Sequence, residues 1–298
     1  MPLINKLQFP DYQLIDCGNF EKLERYGSWY FRRPESQAIW NKRFDDKKWN
    51  ELTHAHFRRD KPKSSFRSAE TGKGGWKFFK EIPDSWTISC PLPERNFKMK
   101  LSLSSFGHVG LFPEQVSNWI YIYQSIKDRN IKNPRVLNAF AYTGGSTLAA
   151  RIAGAEVTHI DALKQVVSRG RENMELNKLT DIRWIVDDAL KFIRREVKRG
   201  KSYHGIILDP PAFGRGTNNE KWILDESINE LLSVCSEILE PTNSFFVISL
   251  YAYGYSPLIA NNLVESHFPG ITKEYGELYL SSESEINLPQ GVFVRFRN

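Results

Sequence analysis

From residue 131 onward the chain alternates between short apolar runs and longer stretches of helical period. The runs at 136–140, 156–160, 183–186, 203–208 and 245–250 have the length and composition of buried strands. Each precedes a helical pattern, at 146–153, 164–177, 189–198, 220–239 and 257–267. Two further runs, near 272–280 and 291–297, predict closing strands around a polar loop. Repeated strand–helix units predict a parallel sheet with helices on both faces, ended by an antiparallel strand from the terminal hairpin. Such a sheet binds ligands beyond the carboxyl ends of its strands.

The first part of the chain is patterned differently. Short mixed segments (Tyr12-Gln-Leu-Ile-Asp16, Ser28-Trp-Tyr-Phe-Arg32, then 76–82, 86–90, 98–103 and 109–112) are split by Gly and Pro. That punctuation predicts an antiparallel, β-rich N-terminal domain over 1–112, with a linking helix at 119–126 opening a second domain over 113–298. The polar, glycine-containing stretch 61–75 reads as a loop.

Composition narrows the class. The chain has 298 residues, 41% hydrophobic and 26% charged, which suits a folded protein with an ample core. No apolar run approaches the roughly 18 residues of a membrane span. The start lacks a signal-peptide core, so the cytoplasm is the expected compartment and no membrane partner is expected. Three cysteines, Cys17, Cys90 and Cys235, form no C-x-x-C pair, which argues against a disulfide framework and a zinc site, and no metal is expected. Charge is uneven. Residues 1–130 hold 22 Lys/Arg against 15 Asp/Glu, and residues 41–80 alone hold 12 against 5. Phe44, Trp49, Phe57, Phe66, Trp76, Phe78 and Phe79 are interleaved there. Cations among aromatics suit RNA, phosphates on the charges and bases on the rings; the alternative is a solvated face whose aromatics pack inward.

The candidate chemistry sits at strand ends. Val136-Leu-Asn-Ala-Phe-Ala-Tyr-Thr-Gly-Gly145 predicts strand and tight turn, and Ser146 or Thr147 can cap the following helix. Ala139 and Ala141 stand where a dinucleotide fingerprint carries glycines. Asp161 ends the second strand, where a carboxylate can accept from both ribose hydroxyls. Asp187 and Asp188 end the third and can accept from an adenine amino group; Asp188 is equally placed as a helix N-cap. The fourth strand ends in Asp209-Pro-Pro-Ala-Phe213. Two prolines fix the backbone and donate nothing, leaving carbonyls and one carboxylate as acceptors for an amino group, with Phe213 as a stacking face.

Together, Asn138-Ala-Phe-Ala-Tyr-Thr-Gly-Gly145, Asp161, Asp188 and Asp209-Pro-Pro-Ala-Phe213 resemble the class I S-adenosylmethionine-dependent methyltransferases. More closely they resemble the group that modifies large-subunit ribosomal RNA at cytosine C5 or guanine N7. Gly107-His-Val-Gly-Leu-Phe-Pro-Glu-Gln115 is similar to that group's segment closing the cofactor pocket, and Leu23-Glu-Arg-Tyr-Gly27 through Trp40 is similar to a branch of the superfamily. The resemblance implies an α/β, Rossmann-like seven-stranded methyltransferase domain beside a smaller β-rich, substrate-recognising one. It implies S-adenosylmethionine as cofactor. Asn138, Ala139, Phe140, Tyr142, Thr143, Gly144 and Gly145 would surround its methionine part. Asp161 would hold the ribose and Asp188 the adenine, with Asp187 a possible substitute and Ala162, Ala189 and Gln115 completing the cofactor-binding set. Asp209, Pro210, Pro211 and Phe213 would face the methyl acceptor.

One departure narrows the reaction. A C5-cytosine enzyme adds a thiolate to the base, but the sequence after the fifth strand reads Ile248-Ser-Leu-Tyr251 and the fourth-strand motif has no thiol. The expectation is therefore methyl transfer to a base nitrogen of RNA, ribosomal RNA first. A small-molecule or glutamine-type protein methyltransferase and a non-catalytic, cofactor-holding RNA-binding protein are the alternatives.

Overall fold

The computed structural model describes residues 9–59, 74–129, 131–216, 220–251 and 254–298. The chain opens with β1 (Tyr12–Gly18), β2 (Glu21–Tyr26) and β3 (Trp29–Pro34), then α1 (Asp46–Leu52), β4 (Ala55–Arg59) and β5 (Gly74–Phe78). These strands form one sheet in the order β1-β2-β3-β4-β5, antiparallel except where β4 runs parallel to β3. A separate hairpin follows, β6 (Trp86–Cys90) with β7 (Phe97–Leu101). The sequence pattern missed β2 because its inward positions carry charge: Lys22 and Glu24 are both buried. It also missed α1, which starts where the Asp45 side chain accepts from the backbone N–H of Lys48 at 2.8 Å.

The predicted strand at 109–112 is not one. Gly107 and Gly110 adopt φ of 82° and 100°, so the chain turns out of the β region and leads into a 3-10 turn at Pro113–Gln115. After it come α2 (Val116–Lys127), β8 (Arg135–Ala139), α3 (Gly145–Ile152), β9 (Glu156–Asp161), α4 (Lys164–Leu176), β10 (Ile182–Val186) and α5 (Ala189–Lys198). Then follow β11 (Gly205–Leu208), the short β12 (Phe213–Arg215) and β13 (Lys221–Ile223), α6 (Leu224–Ile238), β14 (Phe245–Leu250), α7 (Pro257–Glu265), β15 (Lys273–Ser281) and β16 (Asn287–Arg297). The expected single helix over 220–239 is thus preceded by a hairpin strand.

The large sheet has the order β10-β9-β8-β11-β14-β16-β15. Five strands are parallel, and β16 enters antiparallel between β14 and β15 as the terminal-hairpin argument requires. Alternating residues of β8 feed two cores. Val136 joins Trp119, Leu148 and Ile207 on one face, while Leu137 joins Phe192, Leu231 and Phe246 on the other. The first core continues without a break into Tyr26, Phe31 and Met99 of the N-terminal strands. No described helix is long and apolar enough to cross a membrane.

Most of the described aromatics at 41–80 pack inward. Trp49 is 0% exposed and donates through Nε1 to Asp16, Phe57 is buried, and Trp76 donates through Nε1 to the Ser104 carbonyl at 2.7 Å. Trp49 and Trp76 are therefore not open stacking faces. Phe78 and Phe79, at 57% and 52%, are exposed. Phe66 and most of the loop expected at 61–75 lie outside the described residues.

Candidate active site

Strand order reverses beside β8: β9 and β10 lie on one side of it, β11 and β14 on the other. The carboxyl ends of β8 and β11 therefore flank the crevice where such sheets bind ligands. The turn leaving β8 is strained in a regular way. Phe140, Tyr142 and Gly144 take φ of 57°, 49° and 92°, two of them with bulky side chains in a region non-glycine residues rarely enter. Neighbouring strands hold it there. The Ala141 N–H donates to the Ile160 carbonyl, and the Tyr142 N–H donates to Asp161 Oδ2, both at 3.0 Å. Thr143 is tied by its hydroxyl to the Gly110 carbonyl at 2.8 Å. Gly145 is glycine for a different reason from close ligand approach: a Cβ there would lie 2.6 Å from Cζ2 of the Trp119 indole.

Asn138 is also engaged. Its Nδ2 donates to Thr147 Oγ1 at 2.8 Å, and the same hydroxyl hydrogen-bonds with His159 Nδ1 at 2.9 Å, bridging the amide and the imidazole. Burial holds the His159 imidazole well below its usual range, at about 3, and its Nε2 is buried without a partner among the described residues. The Asn138 amide thus locks β8 to α3, and Ala139 is packed in the core.

Asp161 lies at the edge, half-buried beside Ala162. Its Oδ1 accepts from the Leu163 N–H at 3.0 Å, and burial raises its carboxyl against the backbone donors that favour the charge. Asp188 does cap α5, accepting from the Lys191 N–H at 2.8 Å, with Ala189 the first helical residue. Asp187 accepts from the Asp188 N–H at 2.8 Å and pairs with Arg195.

Beyond β11, Pro210 is buried, and the Pro211 carbonyl accepts from Trp222 Nε1 at 2.7 Å. The same indole packs on Phe140 with ring centroids 4.8 Å apart, joining the β12–β13 hairpin to the β8 turn. Phe213 stands 50% exposed. The Asp209 carboxyl has no ion pair or hydrogen bond among the described residues, and burial pushes it up to about 7.

Residues 107–115 cross this edge as a strap. The Arg33 guanidinium, clamped on Glu24, donates to the Gly107 carbonyl at 3.1 Å. Phe112 packs on Tyr142 at 5.3 Å, and burial pushes that phenol up to about 12. Gln115 Oε1 accepts from Asn118 Nδ2 at 2.9 Å and from Ser249 Oγ at 3.3 Å, so its own amide N–H groups are free to donate elsewhere. The structure thus gathers Phe140, Tyr142, Thr143, Gly144, Asp161, Ala162, Asp187, Asp188, Ala189, Asp209 and Gln115 along one sheet edge. Sequence reasoning missed Trp222, Ser249 and Glu114 as parts of it. Nothing in Phe-Pro-Glu-Gln marks Glu114 as buried, since turn residues are ordinarily exposed.

The chain has relatives among known proteins. The family model described as S-adenosylmethionine-dependent methyltransferase matches residues 81–264, more than half of the chain. The chain is similar to a SAM-dependent methyltransferase crystallised from Agrobacterium tumefaciens, at 34% identity and TM-score 0.87 over 97% of this chain and 91% of that one. It is similar in fold to SMU.776, a structure complexed with SAH, at 18% identity and TM-score 0.71 over 97% of this chain and 76% of that one. Among curated proteins it is 30% identical over 126 residues to Ribosomal RNA large subunit methyltransferase I of Escherichia coli O139:H28, a match spanning 41% of this chain and 31% of that protein. The family model covers more than half of the chain and a relative at 34% identity covers nearly all of it, so the chain belongs to the S-adenosylmethionine-dependent methyltransferases.

Proposed function

We propose that this methyltransferase modifies a base nitrogen of RNA, ribosomal RNA foremost, in the cytoplasm. The observation that carries the reading is Asp209-Pro-Pro-Ala-Phe213 at the β8–β11 crevice, an unpaired carboxyl beside an exposed ring. A flat, amine-bearing base suits that pair, with hydrogen bonds in its plane and stacking on its face. The chemistry of the edge also suits the cofactor. S-adenosylmethionine carries a cationic sulfur, a diol and no diphosphate, and this edge offers carboxylates instead of a phosphate-binding glycine loop. In this reading Asp161 takes the ribose and the remaining oxygen of Asp188 the adenine edge. The backbone of the 139–145 turn and the Gln115 amide hold the methionine part, and Asp187 serves by fixing Arg195. Once bound, the cofactor supplies an electrophilic methyl group. The chain's part is to align an acceptor with it.

Nitrogen is favoured over carbon because all three cysteines are buried, and burial raises each thiol, Cys17 to about 12, away from any thiolate nucleophile. RNA is favoured by the ribosomal RNA methyltransferase relatives and by the basic N-terminal half. There Lys77, Phe78 and Phe79 are exposed, and the Lys77 ammonium lies 5.1 Å from the Phe79 ring centroid. Residues 1–112 are accordingly the proposed substrate-recognition domain and 113–298 the catalytic one. Asp209→Ala tests the assignment. Methyl transfer to RNA is expected to fall at least 10²-fold with S-adenosylhomocysteine binding unchanged; transfer at the wild-type rate removes Asp209 from the site.

A further inference from the structure

A second carboxyl lies near the same crevice without a partner among the described residues. Glu114 is 9% exposed, and its side chain makes no ion pair and no hydrogen bond to another described residue; only its own backbone amide approaches as a donor. Its position follows from the strap. Phe112 rests on Tyr142 past the end of β8, and Gln115 is bonded to Ser249 at the end of β14. The strand between them is β11, and Leu208 is in register with Ile248, so Asp209 and Ser249 are the next residues on neighbouring strands. Phe112 and Gln115 thus bracket the end of β11, and the turn between them, which packs along β15, brings Glu114 near enough to Asp209 for the two carboxyls to repel each other. A buried, unpaired carboxyl opposes folding, so a stabilising role does not account for it.

We propose that Glu114 is a further catalytic residue, accepting the proton that the acceptor nitrogen sheds as it is methylated. The inference rests on the nitrogen-methylation reading and deepens it. The substrate atom is one that carries hydrogen, an exocyclic amine or a ring N–H, and not a bare lone pair such as guanine N7. The nitrogen lone pair forms the new N–C bond, and the C–S bond breaks with its electrons left on sulfur. The N–H proton passes to the Glu114 carboxylate, giving a carboxylic acid, S-adenosylhomocysteine and a neutral methylated base. A positioned base of this kind contributes about 10²–10⁴-fold.

The charged groups around Glu114 set its readiness. Burial raises it to about 8, and Asp209 and Glu24 push in the same direction while Lys22 opposes them. Burial raises Asp209 to about 7, so both carboxyls titrate near neutrality.

Glu114→Gln tests this with volume kept. Wild-type turnover is expected to climb about tenfold per pH unit below about pH 7 and level off above about pH 8. In Glu114→Gln, kcat is expected to fall at least 10²-fold, with cooperative unfolding and S-adenosylhomocysteine affinity retained. An unchanged rate and pH profile overturns the proposal, and so does a loss of turnover that only parallels a loss of cofactor affinity. Calorimetry in two buffers of different ionisation enthalpy decides independently of the acceptor. A cationic sulfur beside the pair expels protons, so S-adenosylmethionine is expected to release more than S-adenosylhomocysteine, and that excess is expected to shrink at least twofold in Glu114→Gln. An equal excess in both proteins overturns the role of Glu114. If the wild type methylates no RNA, the RNA reading fails, and the proton count still rules on Glu114.

Discussion

The Trp119 indole occupies the space that a Cβ on Gly145 would need, with Cζ2 2.6 Å from that point. Helix α2, which follows the strap, is thereby keyed to the first turn of α3, which follows the β8 turn. The glycine that marks this site in the sequence serves helix packing, and through it the seating of the strap.

Replacing Gly145 with alanine is therefore expected to destabilise the protein by about 1–3 kcal/mol, the usual cost of overpacking, despite alanine's better helix propensity. Trp119→Phe in the same background is expected to recover part of the loss. Chemical denaturation of the four proteins of the cycle measures the coupling.

Thr147 bridges Asn138 and His159 with one hydroxyl. Thr147→Val keeps the shape but leaves a buried amide N–H and a buried ring nitrogen without partners. The expected cost is about 1–3 kcal/mol for each group left unsatisfied, read as a lower denaturation midpoint with unchanged slope.

Stability is expected to depend on pH through Asp209 and Glu114. Their carboxyls lie at about 7 and about 8 in the fold, against ordinary values of 3.8 and 4.5, so the native state binds more protons than the unfolded chain between those limits. Their contribution is fully present below the ordinary values and is lost as pH rises through about 7 to 8. Melting temperatures of the wild type, Asp209→Asn and Glu114→Gln from about pH 6 to 9 check this. The wild type should decline most steeply, and identical slopes would show that neither group is buried as described.

How much of this was legible beforehand depended on whether a residue's neighbours lie close in sequence. The alternation of 136–140, 156–160 and 245–250 with amphipathic stretches revealed the parallel sheet, because strand burial and helix period are local signals. Asp161, Asp188 and Asp209 were readable for the same reason, each ending a strand. The strand at 21–26 was not, since Lys22 and Glu24 are buried only by virtue of partners: Glu35 and Gln290 for the lysine, Arg33, Tyr12 and Tyr26 for the glutamate. Trp49 looked like an open stacking ring until Asp16, 33 positions earlier, proved to accept its indole N–H. The burial of Glu114 was unreadable because the turn that carries it packs against β15, far downstream in the sequence.

In the proposed reaction this edge aligns a base nitrogen with the transferable methyl group in front of Asp209. The most direct test incubates the protein with isotopically labelled S-adenosylmethionine and unmodified large-subunit ribosomal RNA, then identifies the labelled nucleoside by mass spectrometry. The expected result is label on a base nitrogen with the wild type and none with Asp209→Ala. Label on a carbon atom or a ribose oxygen, or equal labelling by the two proteins, would contradict it.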